Sequence, residues 1–398
     1  MSRFIPLCLL IAAFSSLAIA QDSASSAAAP TQVVYLIGSS TITTYNVDPQ
    51  TLYATQVGNP LTVSATNLNY YTTSVTPSSN DRVLYIIGSE SSTSPQHLMV
   101  YATDSSGIPQ GPSLQTIRTT GLGQVMTNPK SSFLYALFEN PGGNSYYSRS
   151  TIHAYEVDAQ GELSDGKTVA TYKLPNGAEG TEVCTLSILG FNAAGTELYD
   201  EVYCVNHEGI AATYSERSVD LETGALGPDV EIYSWNDSAG GYYTVQIVGD
   251  HVFVFETPND YQTGLNSVDV FALAPNVTTP LVQCTASMLE SCGYATGTTH
   301  PSGKYIFMSD TGTFTEIDRV EPNGRKIVDT GNYIPYGFGS SSLAGQFSPD
   351  GTIVYATQPL TSGYNIEIYG FDVATSEVTP GGVIAGSEFD LFLATQRD

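Results

Sequence analysis

Hydrophobic and polar positions alternate along this chain in short runs, each broken by a turn, and one kind of run recurs. A small or polar turn leads into a hydrophobic stretch centred on an aromatic. The instances are VVYLIG from Val33, DRVLYIIG from Asp81, SSFLYALFE from Ser131, GTELYDEVY from Gly195, GDHVFVFE from Gly249, GKYIFMSD from Gly303 and GTIVYATQ from Gly351. The central aromatics are Tyr35, Tyr85, Tyr135, Tyr199, Phe253, Phe307 and Tyr355, spaced by 50, 50, 64, 54, 54 and 48 residues. β-Branched and aromatic residues dominate these runs, as they do in packed strands. A period near 50 marks a chain built from structural repeats.

Each repeat carries further strands. A second run alternates with period two, as in TIHAYEVD from Thr151, SVDVFAL from Ser267 and IEIYGFDV from Ile366. That alternation gives a strand two unlike faces. Hairpin turns follow it, such as Ala159-Gln160-Gly161-Glu162, Glu222-Thr223-Gly224 and Glu321-Pro322-Asn323-Gly324. A third run, such as VATYKL from Val169, and a strand ahead of each motif, such as QVMT from Gln124 or AGQFS from Ala344, bring the repeat to four. Thr76-Pro77-Ser78-Ser79, Asn128-Pro129-Lys130, His300-Pro301-Ser302-Gly303 and Ser348-Pro349-Asp350-Gly351 precede the aromatic runs. Proline presets φ for such a turn, and Gly or Asn accepts a positive φ. Four strands in about 50 residues make a propeller blade, and no segment sustains a helical period. The expectation is an all-β fold: a seven-bladed β-propeller of four-stranded antiparallel blades, with residues 31–398 as one domain. Two stacked β-sandwiches would need a linker midway, and none is visible.

Composition adds a compartment. Arg3, the apolar stretch from Leu7 to Leu17 and Ala18-Ile19-Ala20 read as a secretory signal over residues 1–20, cleaved after Ala20. Residues 21–30 read as a flexible leader. No later run is apolar for about 18 residues, so no membrane-spanning helix is expected. The polar C-terminus argues against a lipid-anchored tail. The expected location is extracellular, with cell-wall association as one form of it. Asn236 and Asn276 open N-glycosylation sequons. Removing Cys8 with the signal leaves Cys184, Cys204, Cys284 and Cys292. An even count in an oxidising compartment points to disulfides. Three pairings are open; Cys184–Cys204 with Cys284–Cys292 is favoured because each pair is close in sequence. The spacing fits no common zinc pattern.

Charge narrows the partners. The chain carries 13 basic and 39 acidic residues, a net charge of −26. Such a surface repels nucleic acid phosphates, anionic membranes and phosphorylated substrates. A monomer without nucleic-acid or membrane partners is expected.

The units His300-Pro301-Ser302-Gly303-Lys304-Tyr305-Ile306-Phe307 and Ser348-Pro349-Asp350-Gly351-Thr352-Ile353-Val354-Tyr355 resemble those of the lactonase-type seven-bladed propeller family. So does the hairpin Tyr155-Glu156-Val157-Asp158-Ala159-Gln160-Gly161-Glu162-Leu163. That family includes 6-phosphogluconolactonases and carboxymuconate cyclases. The resemblance covers the whole mature chain from Gln21, and with a signal peptide and an acidic chain it is closer to a secreted fungal branch. It implies opening or closing of a small carboxylated or sugar-derived lactone. A phosphosugar lactonase needs Arg or Lys to hold phosphate. Basic residues are scarce here and several fall in turns, so phosphogluconolactone is not the expected substrate.

In a four-stranded meander the loops after the second strand share one face with the connections between blades. Aligning the units puts Glu256, Asp310 and Gln358 three residues past their aromatics, and Glu139 one step further. These are the candidate substrate-binding residues. His207, Glu208, Arg149 and Arg217 in or beside those loops are the candidate catalytic residues, because lactone chemistry needs a general acid or base and a cation for the carboxylate. His153 and His300 read as structural. The same acids could hold Ca²⁺ through oxygen ligands, but no EF-hand loop is present, and no metal or cofactor is expected. The rival reading is a non-catalytic extracellular or cell-wall glycoprotein. It would bind polysaccharide or protein through the loop face, with pairs such as Tyr70-Tyr71 and Tyr146-Tyr147 stacking on sugars.

Overall fold

A computed structural model describes residues 31–397. It leaves out residue 39 and segments 64–66, 69–74, 78–81, 90–95, 142–147, 175–181, 207–208, 238–241, 249–250, 258–268, 274–281, 284–295, 310–314, 323–326, 336–344, 361–362 and 388–390. Every described element is a β-strand, and every described pairing is antiparallel. The first sheet holds β1 (Thr31–Ile37), β2 (Thr41–Val47) and β3 (Ala54–Thr62). The next holds β4 (Asn67–Leu68), β5 (Val75–Pro77), β6 (Val83–Ser89), β7 (Gln96–Ala102) and β8 (Gln115–Arg118). Then come β9 (Leu122–Thr127), β10 (Phe133–Pro141), β11 (Ser148–Glu156) and β12 (Lys167–Lys173), followed by β13 (Glu182–Phe191), β14 (Glu197–Asn206), β15 (Gly209–Ser218) and β16 (Val230–Asp237). The remaining sheets are β17 (Tyr242–Val248) to β18 (His251–Thr257), β19 (Asp269–Leu273) and β20 (Val282–Gln283); β21 (Thr296–Thr299) to β22 (Tyr305–Ser309), β23 (Thr315–Val320) and β24 (Ile327–Ile334); and β25 (Gln346–Phe347) to β26 (Ile353–Pro359), β27 (Tyr364–Phe371) and β28 (Val378–Ser387). The last strand, β29 (Leu391–Arg397), returns to pair with β1 and completes the first sheet.

These sheets make an all-β propeller of four-stranded antiparallel blades. The expectation of four strands in every blade is met by six sheets and corrected in the sheet of β4 to β8, which has five. There the first strand is broken: β4 pairs with Gly88 and Ser89, and β5 with Leu84 to Ile86, along the same edge of β6. The first strands β9, β13, β17, β21, β25, β29 and β5 touch one another in that cyclic order. Glutamines stitch this ring. Gln124 on β9 both donates to and accepts from the backbone of Ile188 on β13, and Gln346 on β25 accepts from Ala394 N on β29.

The repeated aromatics lie on the second strand of each sheet, and those whose side chains are described are buried: Tyr35, Tyr85, Tyr135, Tyr199, Phe307 and Tyr355. They pack between neighbouring sheets. Tyr35 meets Leu84 and Ile86 of the next sheet; Tyr135 meets Leu186 and Ile188. Three of them also donate across the gap: Tyr35 Oη to Gly107 O at 2.7 Å, Tyr85 Oη to Gly161 O at 3.0 Å and Tyr135 Oη to Gly224 O at 3.1 Å. The acceptors close the turns after the third strand. In five of these turns an aspartate (Asp48, Asp104, Asp158, Asp220, Asp372) accepts the backbone N–H two residues on. A residue of positive φ then closes each one: Leu52, Gly107, Gly161, Gly224 and Ser376. Asp side chains favour this turn by mimicking a backbone acceptor.

The residues before the turn prolines serve a second joint. Asn128 Nδ2 donates to Gly195 O at 2.7 Å, and His300 Nε2 bonds Gly351 O at 2.9 Å, each in the turn of the following sheet. Ser302 N donates to His300 Nδ1, so the proton sits on Nε2 and His300 is the donor. Gly351 has a φ of +75°, and a Cβ there would stand 2.3 Å from His300 Nε2. The proline–glycine turn thus sets the blade spacing as well as the hairpin.

Candidate functional site

The second strand of each sheet ends on the face that carries the loops to the third strand. On that face Glu139 lies near the end of β10 and pairs in register with Ser150 on β11, while Arg149 pairs with Asn140. Glu139 and Arg149 are both exposed residues. The Glu139 carboxyl is nevertheless turned inward over β9: a Cβ at Gly123 would stand 3.8 Å from its carboxyl carbon. Exposure of the residue and partial desolvation of its carboxyl coexist because its Cγ, carboxyl carbon and one carboxyl oxygen all lie over Gly123, at 3.8–3.9 Å from a Cβ there. That desolvation pushes the Glu139 carboxyl above its ordinary range. A Cβ at Gly121 would fall 1.8 Å from Glu139 O, and Glu139 N donates to Gly121 O at 2.6 Å. The two inner strands therefore meet closely here only because residue 121 is glycine.

Gln358 occupies the matching end of β26, half-buried, and accepts from Asn365 Nδ2 at 3.2 Å. Glu256 lies on β18, opposite Tyr243 and Asp269. Asp310, His207 and Glu208 lie outside the described residues, as do Cys284, Cys292, Asn276 and residues 1–30. Asn236 falls within β16. Cys184 and Cys204 are bonded, as their short separation suggested.

Arg217, expected beside a substrate, is 8% exposed and committed to protein partners. Its Nε donates to Tyr172 Oη at 2.6 Å and to Asp200 Oδ2 at 3.3 Å, one guanidinium nitrogen donates to Gly227 O, and the other pairs with Asp229 at 3.2 Å. Tyr172 Oη donates to Asp200 Oδ2 at 2.6 Å. Tyr172 is on β12, Asp200 on β14 and Arg217 on β15, so this knot ties two sheets together. Burial lifts the Asp200 carboxyl to about 6 even with Tyr172 and Arg217 favouring its charge. Asp200 follows Tyr199 in the repeated motif, and its inward position is what sequence alternation alone did not mark as polar. His153 bonds Thr168 Oγ1 and packs on Phe138; like His300 it has a structural place.

A recess of about 350 Å³ beside the β2–β3 turn is lined by Asn46, Asp48, Gln50, Tyr53 and Thr55. It lies on the turn face, away from the strand ends that carry Glu139 and Gln358.

No known family model matches the chain, and no curated protein matches it either. Solved structures do share the fold. A candidate 6-phosphogluconolactonase from Bacteroides uniformis superposes with a TM-score of 0.59 at 16% identity, over 92% of this chain and 99% of that one. A protein from Lactobacillus plantarum gives 0.52 at 12% identity, over 92% and 99%. A prolyl endopeptidase gives 0.50 at 12% identity, covering 88% of this chain and 49% of its own. At these identities the likeness shows the propeller fold.

Proposed function

We propose that this chain is an exported lactonase-like propeller that opens or closes a small carboxylated or sugar-derived lactone at its loop face. The sheet of β4 to β8 is counted as its seventh blade, residues 1–20 as a signal peptide, and Asn236 and Asn276 as glycan sites. The observation that carries the reading is Glu139, a carboxyl with raised proton affinity, turned over the innermost strand at the loop end of its blade. A general base works best when its pKa approaches the working pH. Glu139 would take a proton from the water that attacks the lactone carbonyl. Arg149, across the same hairpin, would hold a substrate carboxylate, and His207 and Glu208 of the next sheet would protonate the departing ring oxygen. Fold alone does not confer this chemistry, so the reading rests on the site.

The test is turnover of a panel of carboxylated and sugar lactones by the exported chain and by His207→Ala and Glu208→Ala. Loss of an acid–base group should cost about 10²–10⁴-fold in rate. Turnover that both variants retain in full would remove them from the mechanism. No turnover of any panel member by the wild-type chain would favour the binding-module reading instead.

A further inference from the structure

On a different sheet from Glu139 and Gln358, three carboxylates converge on the outer two strands of one blade. Glu316 and Asp318 stand two apart on β23, and Asp329 on β24 is the register partner of Asp318. A bulge between Glu316 and Asp318 shifts the register at this point. One carboxylate oxygen from each residue lies within 4.8 Å of the other two. Like charges directly opposite one another across a sheet are destabilising, so the arrangement costs stability unless something positive sits there.

Asp318 supplies a second observation. It is only 3% exposed. No hydrogen bond to its carboxylate exists among the described residues, and the charges acting on it, Glu316 and Asp329, are both negative. Burial and those two neighbours raise its proton affinity to about 8. A buried carboxylate normally finds a hydrogen-bond donor or a cation. Asp200 meets that need with Tyr172 and Arg217; among the described residues Asp318 has no such partner, and its carboxylate lies against two further acids. Asp329 is meanwhile fixed, its Oδ1 accepting from Gly331 N at 2.6 Å.

We propose that Glu316, Asp318 and Asp329 form a binding site for a hard divalent cation, with Ca²⁺ as its natural occupant. Ca²⁺ takes six to eight oxygen ligands in flexible geometry. Three carboxylates, each binding through one or both oxygens, supply three to six of these, and water reaches the exposed Asp329 side. The ion would clamp β23 to β24, the strands that form the outer half of this blade.

The experiment is calorimetric titration of the chelator-stripped, full-length exported chain with CaCl₂, paired with thermal unfolding with and without Ca²⁺. The wild type should bind Ca²⁺ with a Kd no weaker than the roughly 10⁻³ M of extracellular sites, and its Tm should rise on binding. D318N and D329N should each weaken binding by about tenfold or more and lose the Tm rise. D329N alters an exposed residue, so it tests the site even if D318N does not fold. Absence of Ca²⁺ binding in the wild type would overturn the proposal and leave a shared proton as the neutralising charge. Binding of equal strength in wild type and D329N would overturn it as well, by placing the ion elsewhere.

Discussion

A single hydroxyl distinguishes otherwise matching positions in this repeat. Tyr35, Tyr85 and Tyr135 each donate to a glycine carbonyl in the following turn. Tyr355 is buried at the same place in its strand, and its hydroxyl has no partner among the described residues. The reason lies in the turn it faces by position in the ring. That turn closes with Leu52 instead of glycine, and Leu52 O already accepts from Gly382 N. Leu52 keeps a φ of +60°, strained for a branched side chain, because the side chain fills the core beside Ile368 and Ile384. Tyr85→Phe should therefore cost about 1 kcal/mol, the ordinary loss when a buried acceptor is orphaned. Tyr355→Phe should cost nothing or stabilise slightly. Urea unfolding of the two variants checks the difference; equal losses would break the assignment of these hydroxyls.

Elements were legible in proportion to how completely they are buried. The second strands have neighbours on both faces, so Val33–Ile37, Val83–Ile87 and Ile353–Ala356 run as unbroken hydrophobic stretches. Some first strands are short, β4 and β25 only two residues, and carry little pattern. The break between β4 and β5 could not be seen because Tyr35 and Tyr85 keep a regular spacing of 50. The disulfide was legible from spacing alone. Cys184 and Cys204 turn out to be register partners on β13 and β14, with Cα atoms 4.0 Å apart, buried in the core beside Leu186 and Leu198. The loop it closes spans 20 residues, for which the chain-entropy account gives about 3 kcal/mol. A Cys184→Ser/Cys204→Ser variant should lose that much in denaturant unfolding. Non-reducing peptide mapping should recover Cys184 linked to Cys204; a peptide joining Cys184 to Cys292 would contradict the pairing.

For the whole molecule, the ring is closed by β29, which brings the C-terminal strand to β1 at the other end of the chain. Closure gathers the loop ends of the blades around one axis, which is why fold-level reasoning could name the face but not the chemistry. A polar residue at a strand end reads the same in sequence whether it lines a site or meets water. Arg217 shows the difference: it aligned with the loops but is spent on Asp200 and Asp229. Glu139 shows the converse, since only packing against Gly123 sets it apart from other terminal acids. Lactone chemistry at this face therefore depends on Glu139, and the pH dependence of kcat/KM tests that role most directly. As a base, Glu139 acts only when ionised, so the rate should climb as pH rises through its pKa. Desolvation places that limb above the ordinary carboxylate value of about 4.3. Wild type should show this raised limb, and Glu139→Gln should lose both the limb and about 10²-fold or more in rate. A Glu139→Gln profile that keeps the wild-type rate and the same limb would contradict the account.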